Sequence, residues 1–388
     1  MSGDSPVYIL SGVRTPIGSF RSQLALVTAV ELGTVAAKKA VEVAGIAPSH
    51  IDEVVGGCVL SAGLGQNPAR QVAINSGLPT TVPACTVNKV CASSLKALQL
   101  ATMAIRSGAS KTALVVGMES MSRAPFYLPR GEVPYGGTSL VDGVAKDGLE
   151  DATLHCAMGV CAEKSAKDYA VTRAESDAYA IESYKKAAAA WAAGRFQKEI
   201  VPVTVKGPRG AETVVTEDEE YKKLVESKVP NLSAAFVKDG TGTITAANAS
   251  SLNDGGVAAV ITSLPSPAPL AEIVAFAESS ADPVDFTVIP VDAVRKLLAQ
   301  TAVNKDDIAL WEVNEAFAVT VLAFIKALQI DPSRVNIKGG AVALGHPLGM
   351  SGLRIAISLA HSLQKGQLGV AAICNGGGEA VAVMLRGC

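Results

Sequence analysis

The stretch VNKVCASSLKAL, Val87–Leu98, holds one cysteine, Cys91, directly ahead of a long apolar segment. The residues Ala92–Arg106 are mostly apolar and contain no Gly or Pro, which predicts a helix buried on most of its sides. Ser93 and Ser94 would lie in the first turn, where their hydroxyls can cap free N–H groups. A thiol at this end of a helix feels the positive end of the helix dipole, which favours the nucleophilic thiolate. A small structural cysteine in the core would fit the same stretch.

Length and composition limit the class of protein. The 388 residues exceed a single typical core, so we expect two or three domains. The formal net charge of −2 argues against a general nucleic-acid or membrane surface. Seven cysteines at irregular spacing, without a C-x-x-C pair, and four scattered histidines predict neither a disulfide framework nor a structural zinc site. We expect an unsecreted protein of a reducing compartment, either the cytoplasm or, as a mature chain without a presequence, the mitochondrial matrix.

Strand and helix patterns alternate along the first part of the chain. The sequence predicts a strand at Val7–Leu10, a helix over Ala29–Ala44 that ends before Gly45, and a strand buried on both faces at Thr112–Gly117. This order predicts an α/β fold with a mostly parallel sheet.

The composition changes near Ser122, and aromatic and charged residues are frequent from there to about Ser250. We expect an inserted lobe on the α/β body. Within the lobe, the charged run Glu217–Lys223 is typical of a solvated face.

The second half of the chain repeats the first. Two pairs of segments align in the same order, SHIDEVVGG from Ser49 with DDIALWEVN from Asp306, and SSLKALQLATMAIRSGASKTALVVG from Ser93 with SGLRIAISLAHSLQKGQLGVAAICN from Ser351. Two matches in order indicate a duplicated α/β half. In such a duplication the two buried helices pack near the pseudo-twofold axis. This arrangement predicts that Cys91 lies close to His346.

Three further segments carry polar or reactive side chains at the ends of predicted strands. They are NEAFA at 314–318, GGAVALGHPLGMSG at 339–352 and CNGGGE at 374–379. Open α/β sheets place ligand sites at such strand-to-loop transitions. His346 lies in a glycine-rich turn, and Gly376–Gly378 behind Cys374 offers unshielded backbone N–H groups suited to an oxyanion.

The segments NKVCASS, NEAFA, GGAVALGHPLGMSG and CNGGG, in this order and at these separations, resemble the thiolase family over essentially the whole chain. MGVCAEKSA from Met158 and TAANASSLNDGG from Thr245 resemble it too, most closely the short-chain acetoacetyl-CoA subgroup, biosynthetic and mitochondrial. The resemblance implies the thiolase fold, an α/β fold of duplicated halves in five layers (αβαβα) with an inserted loop domain. The implied domains are 1–122 with 251–270 for the N-terminal half, 123–250 for the loop domain that binds coenzyme A, and 271–388 for the C-terminal half.

The resemblance also implies an acetyl-CoA C-acetyltransferase, which condenses two acetyl-CoA to acetoacetyl-CoA and CoA and catalyses the reverse thiolysis. Cys91 would accept the acyl group. His346 would take the thiol proton and, with a water held by Asn314, bind the thioester oxygen. Cys374 would move the proton at the substrate α-carbon, and the backbone N–H groups of Cys91 and Gly376 would form a second oxyanion hole.

The remaining implied residues concern ligands. Contacts to coenzyme A would come from Tyr184, Lys223, Leu224, Val225, Lys228, Ser250, Met158 and Phe317. Phe286 would lie over the acyl pocket. A potassium ion would be bound by the Tyr184 hydroxyl and by backbone carbonyls of Ala246, Ala247, Ala249 and Val342, since hard cations prefer oxygen ligands. The resemblance implies a homo-oligomer, dimer or tetramer, and no redox cofactor, nucleic-acid partner or membrane partner.

Two departures leave the substrate range open. Many short-chain thiolases have His where this chain has Ala157, and His155 need not replace it. Members that accept 2-methyl-branched substrates have Pro after the residue matching Phe286, where this chain has Thr287, so 2-methylacetoacetyl-CoA stays an open substrate.

Three other functions remain to be weighed. A degradative thiolase acting on long 3-ketoacyl-CoA would keep the same reactive residues. A decarboxylating ketoacyl synthase is disfavoured by the second cysteine, in CNGGG. A scaffold or lipid carrier without catalysis is disfavoured because Cys91, His346, Asn314 and Cys374 are all retained.

Overall fold

In the computed structural model, which describes residues 5–266 and 268–388, the first half of the chain alternates strands and helices. Its strands are β1 (Val7–Arg14), β2 (Gly18–Ser19), β3 (Glu53–Gly57), β4 (Ala84–Val87) and β5 (Thr112–Ser120). Its helices are α1 (Ala29–Ala44), α2 (Pro68–Asn75) and α3 (Ser93–Arg106). Helix α1 has the predicted bounds because Thr28 and Glu31 form a capping box at its start and Gly45, with φ 65°, ends it.

The middle of the chain forms the lobe and then returns to the sheet. The lobe contains β6 (Phe126–Tyr127), β7 (Val141–Asp142), α4 (Met158–Asp168), α5 (Arg173–Ala192), β8 (Val203–Lys206) and β9 (Glu212–Val215). The returning strand is β10 (Asn253–Thr262), which is buried along its whole length. The lobe therefore enters after β5 and leaves before β10.

The second half repeats the alternation of strands and helices. Its elements are β11 (Ala271–Ser280), α6 (Ile289–Thr301), β12 (Ile308–Val313), α7 (Ala318–Leu328), α8 (Ala341–Leu344), α9 (Leu348–Ala360), β13 (Leu368–Asn375) and β14 (Glu379–Gly387). The main sheet has the order β12-β13-β14-β11-β1-β10-β5-β3-β4, and β2 pairs with β10. The order β3-β5-β10-β1 in one half matches β12-β13-β14-β11 in the other, which confirms the predicted duplication.

The prediction of a mostly parallel sheet is wrong. Within the described part of the main sheet, β3 pairs in parallel with β4 and β5, and β12 with β13, whereas the other six pairings are antiparallel. A parallel order requires a crossover, usually a helix, between successive strands. Strand β14 instead follows β13 through a tight glycine turn, and β10 returns after the whole lobe, so neither needs a parallel crossover.

Helices α3 and α9 pack against each other between the two halves of the sheet, while α1 and α2 cover one outer face and α6 the other. This is the predicted order of five layers. The crossing of α3 and α9 is close: a Cβ atom added at Gly352 would lie 2.8 Å from Leu95 Cβ. Ser94 Oγ donates a hydrogen bond to Met350 O (3.1 Å) and accepts one from Leu353 N (2.9 Å). The hydroxyl predicted to cap its own helix therefore joins α3 to backbone groups within α9.

The charged run Glu217–Lys223 is not wholly a solvated face. Asp218 is fully buried, and its carboxylate oxygens accept hydrogen bonds from Arg14 Nη1 (2.7 Å) and Nη2 (2.9 Å). Arg14, at the end of β1, also donates from Nε to Glu199 (2.7 Å). The periodicity of charges could not show this, because the partner lies more than 200 residues away. This buried ion pair fastens the lobe to the sheet.

Among the described residues, none of the helices combines the length and the apolar character needed to cross a membrane.

Candidate active site

Cys91 lies in a tight turn between β4 and α3. Val90, the residue before it, has φ 47°, a conformation that a β-branched residue rarely adopts. Val90 N donates to Asn88 Oδ1 (2.9 Å), and Ser93 Oγ accepts from Lys89 N (2.9 Å) and donates to Val90 O (2.6 Å). These local bonds hold a strained turn, which costs on the order of 1–3 kcal/mol. The turn places Cys91 in the wall of a cavity of about 480 Å³.

The Cys91 thiol is protonated in the free protein. Burial raises its pKa to about 12, and the Glu119 carboxylate also raises it, although hydrogen bonds to the sulfur from the N–H groups of Gly376 and Cys91 lower it. Burial therefore favours the thiol in the free protein, although the position of Cys91 before a helix had favoured the thiolate. The oxyanion hole of the Cys91 and Gly376 N–H groups stays a prediction. A base must remove the thiol proton before attack.

His346 is buried and lies at the same cavity. Its Nδ1 is 2.6 Å from Ser351 Oγ, and Ser351 Oγ donates its proton to Pro347 O (2.9 Å). A hydroxyl has one proton, so Nδ1–H must be the donor to Ser351, and Nε2 carries the lone pair, which accepts a long hydrogen bond from Asn314 Nδ2 (3.4 Å). Burial, followed by the Arg354 charge, lowers the His346 pKa to about 3. His346 is thus a neutral base with Nε2 available.

Asn314 and Cys374 lie deeper than Cys91. Asn314 follows β12, is fully buried, and its Nδ2 is 3.4 Å from His346 Nε2. Cys374 is the penultimate residue of β13 and is also fully buried. Burial raises the pKa of the Cys374 thiol, and the charge of a Cys91 thiolate would raise it further. Gly376, two residues after Cys374, lines the cavity of Cys91. The structure therefore brings together Cys91, His346, Asn314 and Cys374.

The walls of the cavity are mainly apolar and aromatic. Phe286 and Phe317 form an edge-to-face pair with ring centroids 6.5 Å apart. Met158 lies against Gly376, since its Cε would be 3.4 Å from a Cβ placed there. Other lining residues include Leu149, Cys156, Ala157, Phe236, Ala249, Ser250 and Leu348. An apolar chamber that contains two thiols and a neutral imidazole suits an uncharged acyl group.

A second cavity of about 290 Å³ lies in the lobe. It is lined by five of the predicted coenzyme A contacts and, since Tyr184 belongs to both sets, by three of the predicted potassium ligands: Tyr184, Lys223, Leu224, Val225, Lys228, Ala246 and Ala247. The other predicted coenzyme A contacts, Ser250, Met158 and Phe317, line the cavity of Cys91. Ala249 also lines the Cys91 cavity, whereas the buried Val342 lines neither. The predicted coenzyme A residues thus form two groups, and the potassium set is not gathered at one cavity.

Comparison with known proteins identifies the family. Residues 7–264 match the thiolase N-terminal domain and residues 267–387 match the thiolase C-terminal domain. The chain belongs to the thiolase family. It is 50% identical over 385 residues to the mitochondrial acetyl-CoA acetyltransferase of Rattus norvegicus, which covers 98% of this chain and 91% of the relative. The human mitochondrial acetyl-CoA acetyltransferase is 49% identical over the same length, covering 98% and 90%.

Solved structures agree with this assignment. The Acat5 thiolase of Ascaris suum, in complex with coenzyme A, superposes on this thiolase with a TM-score of 0.95 at 54% identity, covering 99% of this chain and 100% of that one. The acetyl-CoA acetyltransferase of Bacillus anthracis gives a TM-score of 0.94 at 36% identity, covering 99% of both chains.

The thiolase site depends on side chains that the sequence reasoning missed. Ser351 sets the His346 tautomer, and Asn253 Oδ1 accepts from His346 N (2.8 Å). Glu315 of NEAFA is fully buried and accepts hydrogen bonds from Ser183 Oγ (2.8 Å) and Val342 N (3.0 Å), which ties the Asn314 loop to α5 and α8. The one usable signal was the hydroxyl five residues after His346 in a glycine-rich turn.

Proposed function

We propose that this thiolase is an acetyl-CoA C-acetyltransferase, which condenses two acetyl-CoA to acetoacetyl-CoA and CoA and catalyses the reverse thiolysis. The observation that carries the proposal is that a protonated Cys91 and a neutral His346 line one apolar cavity, with a second buried thiol, Cys374, two residues before Gly376 of the same cavity wall. The relatives named acetyl-CoA acetyltransferases, matched over nearly their full length, support the same chemistry.

The first half-reaction transfers the acetyl group to Cys91. His346 Nε2 takes the thiol proton as the sulfur attacks the thioester carbonyl, because the neutral imidazole is the only form with a lone pair to accept it. The carbonyl oxygen moves into the hydrogen bonds of the Cys91 and Gly376 N–H groups, which already point at this region in the free protein. CoA leaves as the thiol and takes the proton from His346.

The second half-reaction forms the carbon–carbon bond. Cys374 gives its thiol proton to His346 Nε2 and, as the thiolate, removes a proton from the α-carbon of the second acetyl-CoA, while His346 Nε2–H and the Asn314 side chain face the thioester oxygen that gains charge. The enolate attacks the acetyl carbon, the C–S bond to Cys91 breaks, and the Cys91 thiolate takes the proton from His346 Nε2.

The roles of the two cysteines can be separated by mutation. Cys91→Ser should abolish acylation, and mass spectrometry of the wild type should find the acetyl group on the Cys91 peptide. In Cys374→Ser, acylation by acetyl-CoA should persist, because that step breaks no C–H bond, whereas condensation and exchange of acetyl α-hydrogens with heavy water should fail together. His346→Ala should impair acylation itself. Normal α-hydrogen exchange in Cys374→Ser would contradict these roles.

The substrate range is tested by thiolysis of acetoacetyl-CoA, 2-methylacetoacetyl-CoA and a long 3-ketoacyl-CoA side by side. We expect acetoacetyl-CoA to be fastest, because the aromatic rings of Phe286 and Phe317 take up the apolar end of the cavity. The branched substrate should react measurably, since Ala157 leaves room in the cavity wall. Faster thiolysis of the long substrate would favour the alternative, a degradative 3-ketoacyl-CoA thiolase.

Binding of coenzyme A and potassium forms a further part of the proposal. Lys223 and Lys228 at the lobe cavity carry the charge that phosphates require, although Lys223 also pairs with Glu220 Oε1 (3.3 Å). The carbonyl oxygens of Ala246, Ala247 and Ala249 accept no hydrogen bond from the described residues, so they are free to bind a cation. Tyr184 Oη would be a further ligand, and the ion would supply positive charge that orders this loop.

Exchange of potassium for sodium tests the ion site. Because the ion is proposed to order the loop that lines the coenzyme A cavity, sodium should weaken coenzyme A binding measured by calorimetry. Equal dissociation constants in the two salts across a full titration would contradict the potassium proposal.

We also propose a homo-oligomer, dimer or tetramer. The stretch from β6 to β7 exposes several large apolar side chains, Phe126, Leu128, Val133, Tyr135 and Leu140, which a second copy could cover. Light scattering of the purified chain would measure the mass, and a monomer at all concentrations would contradict the proposal.

The proposed compartment is the mitochondrial matrix or the cytoplasm, supported by relatives whose names include the word mitochondrial. Cell fractionation tests it.

The domain division at 122, 250 and 270 is proposed on the end of β5 and the starts of β10 and β11, and limited proteolysis should cut first near these positions.

A further inference from the structure

A second pair of thiols lies beside the cavity of Cys91. The Sγ atoms of Cys156 and Cys161 are 3.9 Å apart, and neither cysteine is in a disulfide. Ala157 is the N-cap of α4, so Cys156 immediately precedes the cap and Cys161 is the fourth helical residue. Side chains at these two positions of a helix start regularly pack together as a staple. The helix start itself therefore holds the two sulfurs in contact.

The two thiols differ in access. Cys156 is partly exposed and lines the cavity, whereas Cys161 is fully buried behind it. Burial raises the Cys161 pKa to about 12, and charge on Cys156 raises it further, so Cys161 is a poor first target for an oxidant. A small oxidant that enters the cavity meets Cys156 first. Cys161 is then within reach of whatever forms on Cys156.

We propose that Cys156 and Cys161 are an oxidisable dithiol, and that peroxide converts them to a disulfide that reshapes the acyl cavity. Neither thiol takes part in the acyl transfer proposed above, so this is an additional modification site. The bond does not depend on the catalytic assignment, because it follows from the positions of the two sulfurs.

The chemistry balances with hydrogen peroxide as the oxidant. The Cys156 sulfur attacks one peroxide oxygen, the O–O bond breaks, and one water leaves, giving a sulfenic acid on Cys156. The Cys161 sulfur then attacks the Cys156 sulfur, the S–O bond breaks, and the hydroxide leaves with the Cys161 proton as a second water. Two thiols and one peroxide thus give one disulfide and two waters.

Closing the bond must move the cavity wall. A disulfide has an S–S length of about 2.05 Å, so the sulfurs must approach by roughly 2 Å, mainly through the more exposed Cys156. The two residues that follow Cys156, Ala157 and Met158, line the cavity, and Met158 packs against Gly376, whose N–H points at Cys91. Withdrawal of Cys156 towards the helix therefore displaces side chains that surround the acyl group.

Peptide mass measures the modification without reference to activity. Both cysteines fall in one tryptic peptide, residues 147–164. After peroxide treatment of the Cys91→Ser protein, this peptide should be lighter by two hydrogens and should regain them in dithiothreitol. Cys161→Ser and Cys161→Ala, made in parallel in case one misfolds, should leave Cys156 with added oxygen instead. The matched control Cys85→Ser removes an exposed thiol outside both cavities, and its 147–164 peptide should lose two hydrogens as the peptide of the protein with Cys85 does.

Acetyl-CoA binding measures the effect of the disulfide on the cavity. In the same Cys91→Ser background, where the nucleophile cannot be oxidised, the disulfide form should bind acetyl-CoA several-fold more weakly than the dithiol form, and dithiothreitol should restore binding. Peroxide should change binding in the Cys85→Ser control to the same extent. The modification site would be overturned if the 147–164 peptide of the Cys91→Ser protein gained oxygen instead of losing two hydrogens. It would also be overturned if that peptide stayed a dithiol under conditions that oxidise Cys85. A disulfide that forms with unchanged acetyl-CoA binding would overturn its effect on the cavity.

Discussion

A single hydroxyl, that of Ser351, decides which nitrogen of His346 carries its proton. Ser351 Oγ is committed as a donor to Pro347 O, so it can only accept from Nδ1, and Nε2 stays free to take the Cys91 proton. Asn314 Nδ2 faces the same Nε2 at 3.4 Å. Ser351 does not line the cavity and therefore acts on the reaction through His346, whose tautomer it sets.

Loss of this hydroxyl should slow acylation more than it weakens binding. Ser351→Ala leaves Nδ1–H without its acceptor in a buried site, and we expect acylation to slow by about tenfold, the equivalent of about 1.4 kcal/mol. KM should change little, and Ser351→Thr should restore part of the rate. Single-turnover acylation by acetyl-CoA measures the effect. The control Ser362→Ala removes a hydroxyl beyond the far end of α9, bonded to Ser358 O (2.7 Å), and should leave the rate unchanged. A purely structural role would instead alter KM and stability alike.

The pH dependence of acylation follows from His346. Its pKa is lowered to about 3 by burial and by Arg354, so the imidazole stays neutral as the pH falls through the ordinary histidine value of about 6.5. The acid limb of single-turnover acylation should therefore lie well below that value. The unfolded chain does bind the proton near 6.5, so this histidine makes the fold less stable as the pH falls below it. An acid limb centred near pH 6.5 would contradict the lowered pKa.

At the scale of elements, the site depends on the crossing of α3 and α9. Cys91 precedes one helix and His346 precedes the other, so their separation is fixed by how closely the helices approach. Gly352 permits that approach, because an added Cβ would lie 2.8 Å from both the nitrogen and the Cβ of Leu95. The Ser94 hydroxyl joins the two helices at the same place.

A larger residue at the crossing of α3 and α9 should lower both the stability of the fold and the rate of acylation. Gly352→Ala should destabilise the fold by about 1–3 kcal/mol, because overpacking forces the helices apart. Acylation should slow as well, since the Cys91–His346 distance changes. The control Gly131→Ala adds a methyl group in open space and should change neither quantity. Urea unfolding and single-turnover acylation measure the two effects, and an unchanged unfolding midpoint for Gly352→Ala would count against the crowded crossing.

At the scale of the whole molecule, a buried ion pair joins the lobe to the sheet. Arg14 on β1 and Asp218 in the lobe are both fully buried, with Arg14 held also by Glu199. The lobe supplies one wall of the acyl cavity and most of the second cavity. The position of the lobe on the sheet therefore matters for binding as well as for stability.

Neutralising Asp218 should be costly. Asp218→Asn leaves the Arg14 charge without one of its two buried partners, and we expect a loss of about 3–5 kcal/mol in the free energy of unfolding. The control Glu42→Gln removes one partner of the exposed Lys39–Glu42 pair (2.5 Å) and should cost at most about 1 kcal/mol. Chemical denaturation measures both. Equal losses in the two variants would mean that the buried pair contributes no more than a surface pair.

The same scale shows what the sequence could predict. The motifs around Cys91, His346, Asn314 and Cys374 indicated the family and with it the five layers, and the internal repeat predicted the duplicated halves. The antiparallel strands were missed because β10 and β14 return without a crossover helix, which no local pattern records. The protonated state of Cys91 was missed because burial depends on the whole fold, and Ser94 was assigned to the wrong helix because its partners lie more than 250 residues away.

The crossing at Gly352 also has an evolutionary consequence. The atoms of Leu95 that an added Cβ at 352 would meet are its backbone nitrogen, its Cα and its Cβ, which almost every amino acid shares. A smaller side chain at 95 would therefore not make room for a larger residue at 352. Aligned thiolases should keep glycine at 352 whatever residue they carry at 95, although the two positions are far apart in the chain.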